Sequence, residues 1–455
     1  MQILLTHGYF LSEDVKEQRI MRPYPPLGIL YLSAYLEQHG VQHEVYDTTF
    51  SQKQSLKSYL QKNQRKIVAL YTNLMTKLYV IDIVKFIKQE HAETIVILGG
   101  PDVRYNAENY LRIGCDYLVI GEGEVTFLDL VKNLQARKSI SNIQGIAFLQ
   151  NGKLIINPER EKIKDLDTLP EPNRSKINLQ QYLDAWRTHH GKNAISISTM
   201  RGCPYTCKWC SRGVYGLSYR RRSPEKVAEE MLNIRQQYNP DSLWFVDDVF
   251  TISHKWLESF KSEIQKRNVL IPYECITRAD RLNEQVIQTL KDTGCFRVWI
   301  GAESGSQKVI DLMDRRVDVE QVRRMIKLTS QYGIEAGTFI MLGYPGETHD
   351  DITETIKHLK ESNPDHFTIT VAYPIKGTDL YEEVEGRQLN NIEWSSTTDR
   401  SIDFERTYRR KYYDYAMKHV INEIHYYKSR KQFKLRTINF KMKSIAARAA
   451  MWWLR

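Results

Sequence analysis

Residues 194–210 read AISISTMRGCPYTCKWC, a short apolar strand-like run followed by a loop that carries Cys203, Cys207 and Cys210. Half of the six cysteines in this 455-residue chain fall within that loop. Such clustering points to metal chemistry rather than to a secreted disulfide framework. Thiolates on one short loop can hold three irons of a cubane and leave the fourth iron for a ligand from outside the chain. A structural zinc would close its shell with four protein ligands, and no CxxC or HxxxH partner stands nearby. A zinc site and three unrelated structural cysteines are the competing readings of these residues.

Working outward, the strand before the triad opens a series in which apolar runs alternate with helical ones: SLWFVDDVF, YECITRADRL, FRVWIGAESGS, GIEAGTFIMLGYPGET and HFTITVAYPIKGTDL. Six such units over residues 189–385 predict a partial TIM-like (β/α)6 barrel with its function on the loops after the strands. Residues 1–135 alternate in the same way, through QILLTHG, KIVALYTN, TIVILGGPD and CDYLVIGEGE, and predict a doubly wound parallel sheet. Ligands of such sheets sit beyond the carboxyl ends of the strands. Those ends are His7-Gly8, Asp47-Thr48, Thr72-Asn73, Gly99–Asp102 and Gly121–Glu124. Residues 136–188 hold a hairpin turning at Asn151-Gly152 and a linker containing LPEP. Residues 386–455 form a small, basic, helical C-terminal cap, so the fold class is α/β throughout except for that region.

A composition of 42% hydrophobic, 26% charged and 11% aromatic residues is that of a folded protein and excludes a disordered or fibrous chain. With no basic leader before the first strand and no run long and apolar enough to span a bilayer, a cytoplasmic location is expected. Residues 405–455 carry fourteen Lys or Arg against Glu405, Asp414 and Glu423, a net of +11 that exceeds the +10 of the whole chain. In this tail the cations interleave with Phe433, Phe440, Met451, Trp452, Trp453 and Leu454. Packing on the barrel, peripheral contact with an anionic membrane, and nucleic-acid binding are three readings of that pattern, the last the least favoured. Cys115, Cys275 and Cys295 stand alone in apolar surroundings and are expected to be inert core residues.

Trp209, immediately before the last cysteine, completes a pattern: Cys203-Pro-Tyr-Thr-Cys207-Lys-Trp209-Cys210 resembles the signature of the radical S-adenosylmethionine (SAM) superfamily. The similarity runs through most of residues 190–385. It implies a [4Fe-4S] cluster on the three cysteines, with SAM chelating the open iron and cleaved reductively to methionine and a 5′-deoxyadenosyl radical. It further implies that Trp209 lies near the adenine, that Asp247 and Asp248 take the SAM ammonium, and that Arg278 meets the carboxylate. Glu303, with Ser304, corresponds to the ribose-holding position, and Gly343, Pro345 and Gly346 to a turn along the adenine. Taken singly, these residues also suit helix caps, ion pairs and turns. Their order at successive strand ends favours the functional reading.

Within the superfamily, residues 1–135 resemble the N-terminal domain of the cobalamin-binding subgroup, which includes anaerobic porphyrin-ring cyclases and carbon- or phosphorus-methylating enzymes. The features are Tyr24-Pro25-Pro26-Leu27-Gly28, Thr72-Asn73, Gly99-Gly100-Pro101 and Gly121-Glu122-Gly123-Glu124. Glycine turns at strand ends allow close backbone approach to a macrocycle. The DxHxxG string that supplies a cobalt-ligating histidine is absent, which implies a cobalt without a histidine lower ligand; His7 and His39 are expected to be ordinary residues. The resemblance therefore implies cobalamin-dependent methylation of an unactivated carbon. The alternatives are a cobalamin-dependent radical cyclisation or oxidative rearrangement and, in another class, a module that senses cobalamin or redox state. The implied partners are a small-molecule or lipid substrate and an external electron donor such as flavodoxin or ferredoxin.

Overall fold

The computed structural model describes residues 2–390, 393–432 and 435–455, so Phe433 of the basic tail lies outside the described residues. The first sheet is built from Ile3–His7 (β1), Glu44–Tyr46 (β2), Ile67–Tyr71 (β3), Ile95–Gly99 (β4), Tyr117–Val119 (β5), Ile146–Gln150 (β6) and Lys153–Ile156 (β7). The order is β2-β1-β3-β4-β5-β6-β7. The first five strands are parallel, while β6 joins β5 antiparallel and carries β7 with it. The central strands read ILLTH, IVALY and IVILG because helices cover both faces of a parallel sheet and leave few positions wet. The predicted hairpin thus extends the first sheet instead of standing apart in the linker.

The second sheet comprises Ala194–Ile197 (β8), Ser242–Phe245 (β11), Tyr273–Thr277 (β12), Cys295–Glu303 (β13), Glu335–Leu342 (β14) and His366–Val371 (β15), parallel and in sequential order. It is the expected six-unit partial barrel. Between β8 and β11, Met200–Arg201 (β9) and Arg220–Arg221 (β10) pair antiparallel and bracket the cysteine loop. Capping chemistry sets the helix ends. The helix Pro224–Tyr238 starts at Ser223, whose side chain accepts from Lys226 N, has Pro at its first position, and ends at Asn239 with φ 42°. Asn268 and Asn363 end two further barrel helices in the same left-handed conformation.

The barrel core gathers Ile195, Leu243, Tyr273, Val298, Ile300 and Ile340, among others. Cys115, Cys275 and Cys295 are buried, as expected of core residues. Helix Arg410–Ser429 lies beside β14 and β15, burying Tyr412 and Tyr413, and helix Leu435–Trp453 folds back along it. Helix Leu179–His190 clamps the two sheets. Its Tyr182 hydroxyl donates to Asp47 at 2.8 Å and lies 2.7 Å from the Thr49 hydroxyl, and Trp186 Nε1 donates to the Pro23 carbonyl at 2.8 Å. His7 is buried between Asp47 and Thr48, and His39 bonds to the carbonyl of Tyr35.

Candidate active site

The carboxyl ends of the two sheets face each other across a cavity of about 310 Å³. Cys203, Cys210, Asp247 and Asp248 line it from the barrel, and Leu27, Gly28 and Tyr31 of helix Leu27–Gln38 and Pro101, just after β4, from the first domain. A second, apolar cavity of about 270 Å³ opens beyond β1, β3, β4 and β5. The segment Val214-Tyr215, just after the third cysteine, lines both spaces, as do Gly28, Pro101, Glu124 and Arg201.

Cys207 is turned away from the 310 Å³ cavity and buried against two guanidinium groups. Arg278 Nη1 lies 3.9 Å and Arg315 Nη1 3.7 Å from its Sγ. Two cationic donors aimed at one sulfur suit a thiolate that carries negative charge in a cluster. Burial, with the nearby Asp248 carboxylate and the other two sulfurs, pushes the Cys210 thiol up to about 12, and burial also raises Cys203. Iron coordination removes those protons outright. Among the described residues no three ligating side chains converge on a single metal ion.

The other residues expected at SAM divide into two groups. Asp247 is buried and committed: it accepts from Thr199 N at 2.7 Å, from the Thr199 hydroxyl and from Met200 N at 3.2 Å, and it faces Arg221 at 3.7 Å. Asp248 has no such partner and opens to the cavity beside Cys203 and Cys210; burial of its surroundings and the Asp247 charge push its carboxyl above the usual range. Arg278 is wholly buried, with Nε on Asp280 at 2.8 Å and Nη2 on the Arg315 carbonyl at 2.9 Å, and its guanidinium lies over the Tyr205 ring. It ties the cysteine loop to the turn after helix Gln307–Leu312.

Glu303 adopts φ 63° at a bulge in β13, a strained conformation for a residue with a side chain. Its buried carboxyl is raised by desolvation and lies 3.8 Å from Arg315 Nη2. Ser304 is occupied locally, with its Oγ accepting from Ser306 N and meeting Thr355. Trp209 packs against the cluster that includes Val309, Met313 and Tyr344, with the Arg315 guanidinium 5.9 Å from its ring centroid. Gly343 and Gly346, at φ 77° and 83°, frame Pro345 in a turn whose Gly343 N–H donates to the buried Glu347 at 2.5 Å. Sequence reasoning missed Arg315 and Glu347. The RR pair in MDRRV was the available mark for the first, while the second lay unremarked inside MLGYPGET.

In the first sheet, Gly28, Gly99, Gly100, Gly121, Glu122 and Gly123 line the apolar cavity. Gly100, at φ 121°, sits so close to the Thr72 carbonyl that a Cβ would collide with it. Side chains at Gly28, Gly121 or Gly123 would project into space that the glycines leave open, so the wall suits a broad, flat ligand such as a corrin ring. Pro26, Leu27, Thr72 and Asn73 do not line this cavity, Leu27 facing the 310 Å³ one instead. Pro26 caps helix Leu27–Gln38, Thr72 pairs with Tyr110, and Asn73 accepts from Met75 N and Thr76 N. Glu122 accepts from Arg220 at 2.7 Å and from Ile163 N at 2.8 Å.

Residues 197–359 match the Radical SAM superfamily, and residues 20–131 match the B12 binding domain. The chain is 29% identical over 383 residues to an uncharacterized methyltransferase of Pyrococcus horikoshii, covering 82% of each protein. It is 24% identical over 395 residues to the anaerobic magnesium-protoporphyrin IX monomethyl ester cyclase of Rubrivivax gelatinosus, covering 84% of this chain and 70% of that one. In fold it is similar to the radical S-adenosylmethionine methyltransferase TsrM from Kitasatospora setae, at a TM-score of 0.71 and 17% identity over 85% of this chain and 74% of that one.

Proposed function

We propose that this chain, a member of the radical SAM superfamily with an N-terminal B12-binding domain, is a cobalamin-dependent methyltransferase that acts on an unactivated carbon. The observation that carries the reading is the 310 Å³ cavity, where the cysteine loop and Asp248 face Leu27, Gly28, Pro101 and Glu124 of the first domain across one space, next to the glycine-lined apolar cavity. When bound, the cluster supplies the electron that cleaves SAM to methionine and a 5′-deoxyadenosyl radical, and cobalamin supplies the methyl group.

The residues of this chain hold, orient and shield those groups. Cys203, Cys207 and Cys210 would hold the iron, and Asp248 would meet the ammonium group of SAM. Arg315, whose Nε is buried without a partner among the described residues, stands beside Glu303 and Trp209 where a carboxylate or ribose would be met. Gly28, Gly99, Gly100, Gly121 and Gly123 would form the floor under cobalamin. Val214 and Tyr215, which line both spaces, would stand where the two cofactors meet. We also infer a small-molecule or lipid substrate and an external electron donor of the flavodoxin or ferredoxin type.

Anaerobic reconstitution with iron, sulfide and cobalamin, followed by reduction in the presence of SAM, tests it. Formation of 5′-deoxyadenosine and a corrinoid absorption band on the purified protein are expected. Absence of the nucleoside overturns the radical enzyme, and absence of the band removes cobalamin from the proposal.

A further inference from the structure

Helix Leu435–Trp453 packs through one face only. Thr437, Ser444, Ala447 and Met451 are buried against helix Arg410–Ser429. The contact is polar as well as apolar: His419 Nδ1 lies 3.0 Å from Ser444 Oγ, and Glu423 accepts from Ser444 at 2.8 Å and Lys441 at 3.1 Å. The opposite face carries Leu435, Ile438, Met442, Ile445, Trp452 and Trp453, all exposed, with Leu435 at 88% and Trp453 at 80%. At 3.6 residues per turn these side chains fall, with Ala446 and Ala449, within an arc of roughly 120°. Monomeric proteins seldom leave so long an apolar ridge in water.

Charge decides what covers it. Arg436 and Lys443 flank the ridge on one side, and Lys441 and Arg448 on the other; residues 424–455 contain no Asp or Glu. An apolar ridge edged by cations on both sides matches a surface that is apolar below and anionic at its rim, as a bilayer with acidic headgroups is. The methylene stems of Lys and Arg reach along the ridge while their heads stay at headgroup level, and paired tryptophans at one end favour the same interface. A second copy of the chain would instead set like-charged flanks against each other. The four cations within the helix bar it from spanning, and no described helix is long and apolar enough to cross a membrane.

We infer that helix Leu435–Trp453 is an in-plane anchor that docks the protein on an anionic membrane surface, with its inner face still packed on helix Arg410–Ser429. The inference stands apart from the chemistry at the cysteine loop, because none of its residues lines the cavity there.

Flotation of the full-length protein with phosphatidylcholine vesicles, with and without a quarter of phosphatidylglycerol, tests it. Binding is expected only to the anionic vesicles and should weaken with salt. Met442→Glu/Ile445→Glu should lower the bound fraction at least about tenfold, and Lys443→Glu/Arg448→Glu should do so while reducing the salt dependence. All four positions face solvent, and an unchanged circular dichroism spectrum reports that the helix is intact. Should a variant misfold, the blue shift of Trp452 and Trp453 fluorescence on anionic vesicles, lost in Trp452→Ser/Trp453→Ser, provides an independent readout. Wild-type protein that stays unbound, or a Met442→Glu/Ile445→Glu variant that binds as well as wild type, overturns the inference. So does a dimer that the same variant dissociates while vesicles fail to bind, since that result assigns the ridge to a second copy.

Discussion

Arg201 closes a bidentate ion pair onto Glu124, with Nη2 2.5 Å from Oε1 and Nη1 3.2 Å from Oε2, and both side chains are buried. Arg201 stands two residues before Cys203, and Glu124 lies in the first turn of the helix that begins at the Gly121–Gly123 rim of the apolar cavity. Arg220, in the strand paired with that of Arg201, adds a bond to Glu122 at 2.7 Å. The loop that would hold iron and the rim that would hold cobalamin are therefore fixed to each other by buried charge, not by chain connectivity.

Removing one partner of such a pair leaves an uncompensated charge in the interior, which costs about 3–5 kcal/mol. Glu124→Ala is expected to lower the thermal midpoint clearly. The milder Glu124→Gln should retain iron and 5′-deoxyadenosine formation while losing transfer to substrate, because it disturbs the register of the two cavities rather than the cysteine loop. Equal loss of both activities, measured by product chromatography after reconstitution, would sink the register role.

The two adjacent aspartates should part company. Asp247 holds Thr199 and Met200 in place, so Asp247→Asn should destabilise the cysteine loop and reduce iron content per chain. Asp248 bonds to nothing in the described structure and faces the cavity, so Asp248→Asn should retain iron and weaken SAM binding by about tenfold or more, the loss expected of one charge-assisted hydrogen bond. Iron quantitation with equilibrium dialysis of SAM distinguishes the two; a matching loss of iron in both variants would contradict the assignment.

The same contrast shows what was legible before the structure. Short apolar runs such as IVALY and IVILG, bounded by turn residues and alternating with helical stretches, read as buried parallel strands, and Cys203, Cys207 and Cys210 follow one such run, so both sheets and the triad could be read directly. The hairpin at Asn151-Gly152 was legible as a hairpin, but the sheet it joins depends on the free edge of β5, a non-local pairing that no local pattern records. The charged groups were the least legible. Arg278, expected at the SAM carboxylate, is enclosed by Cys207, Asp280 and the loop of Arg315. Which acceptor a buried guanidinium finds depends on the loops that fold over it. Arg315 sits between Asp314 and Arg316, at φ 49° and 54°, in a turn without periodicity.

Arg315 offers a sharper test of that loop. Its guanidinium reaches Cys207 Sγ and the Gly301 carbonyl together, and a lysine ammonium cannot span both with the same geometry. Arg315→Lys should still assemble the cluster through the three cysteines. Binding of SAM should weaken by about 1.5–3 kcal/mol, roughly ten- to a hundredfold. The change that SAM produces in the electron paramagnetic resonance signal of the reduced cluster would report it, and an unaltered titration would show that Arg315 serves the fold alone.

Glu347 gives a pH dependence of definite sign. Burial pushes its carboxyl from 4.5 up to about 8, outweighing the Gly343 N–H that favours the charged form. The native protein therefore keeps this proton where the unfolded chain has lost it. Between those two values the folded state binds more protons, so this group lowers stability progressively as pH rises from about 4.5 to 8, by on the order of 4 kcal/mol in total, and the effect levels off above that. Glu347→Gln retains an oxygen for Gly343 N–H and has no proton to lose. The variant's thermal midpoint should overtake that of the wild type as pH rises through this window, with the gap constant at higher pH. Parallel midpoint profiles for the two proteins from pH 5 to 9 would show that Glu347 is ionised in the folded state.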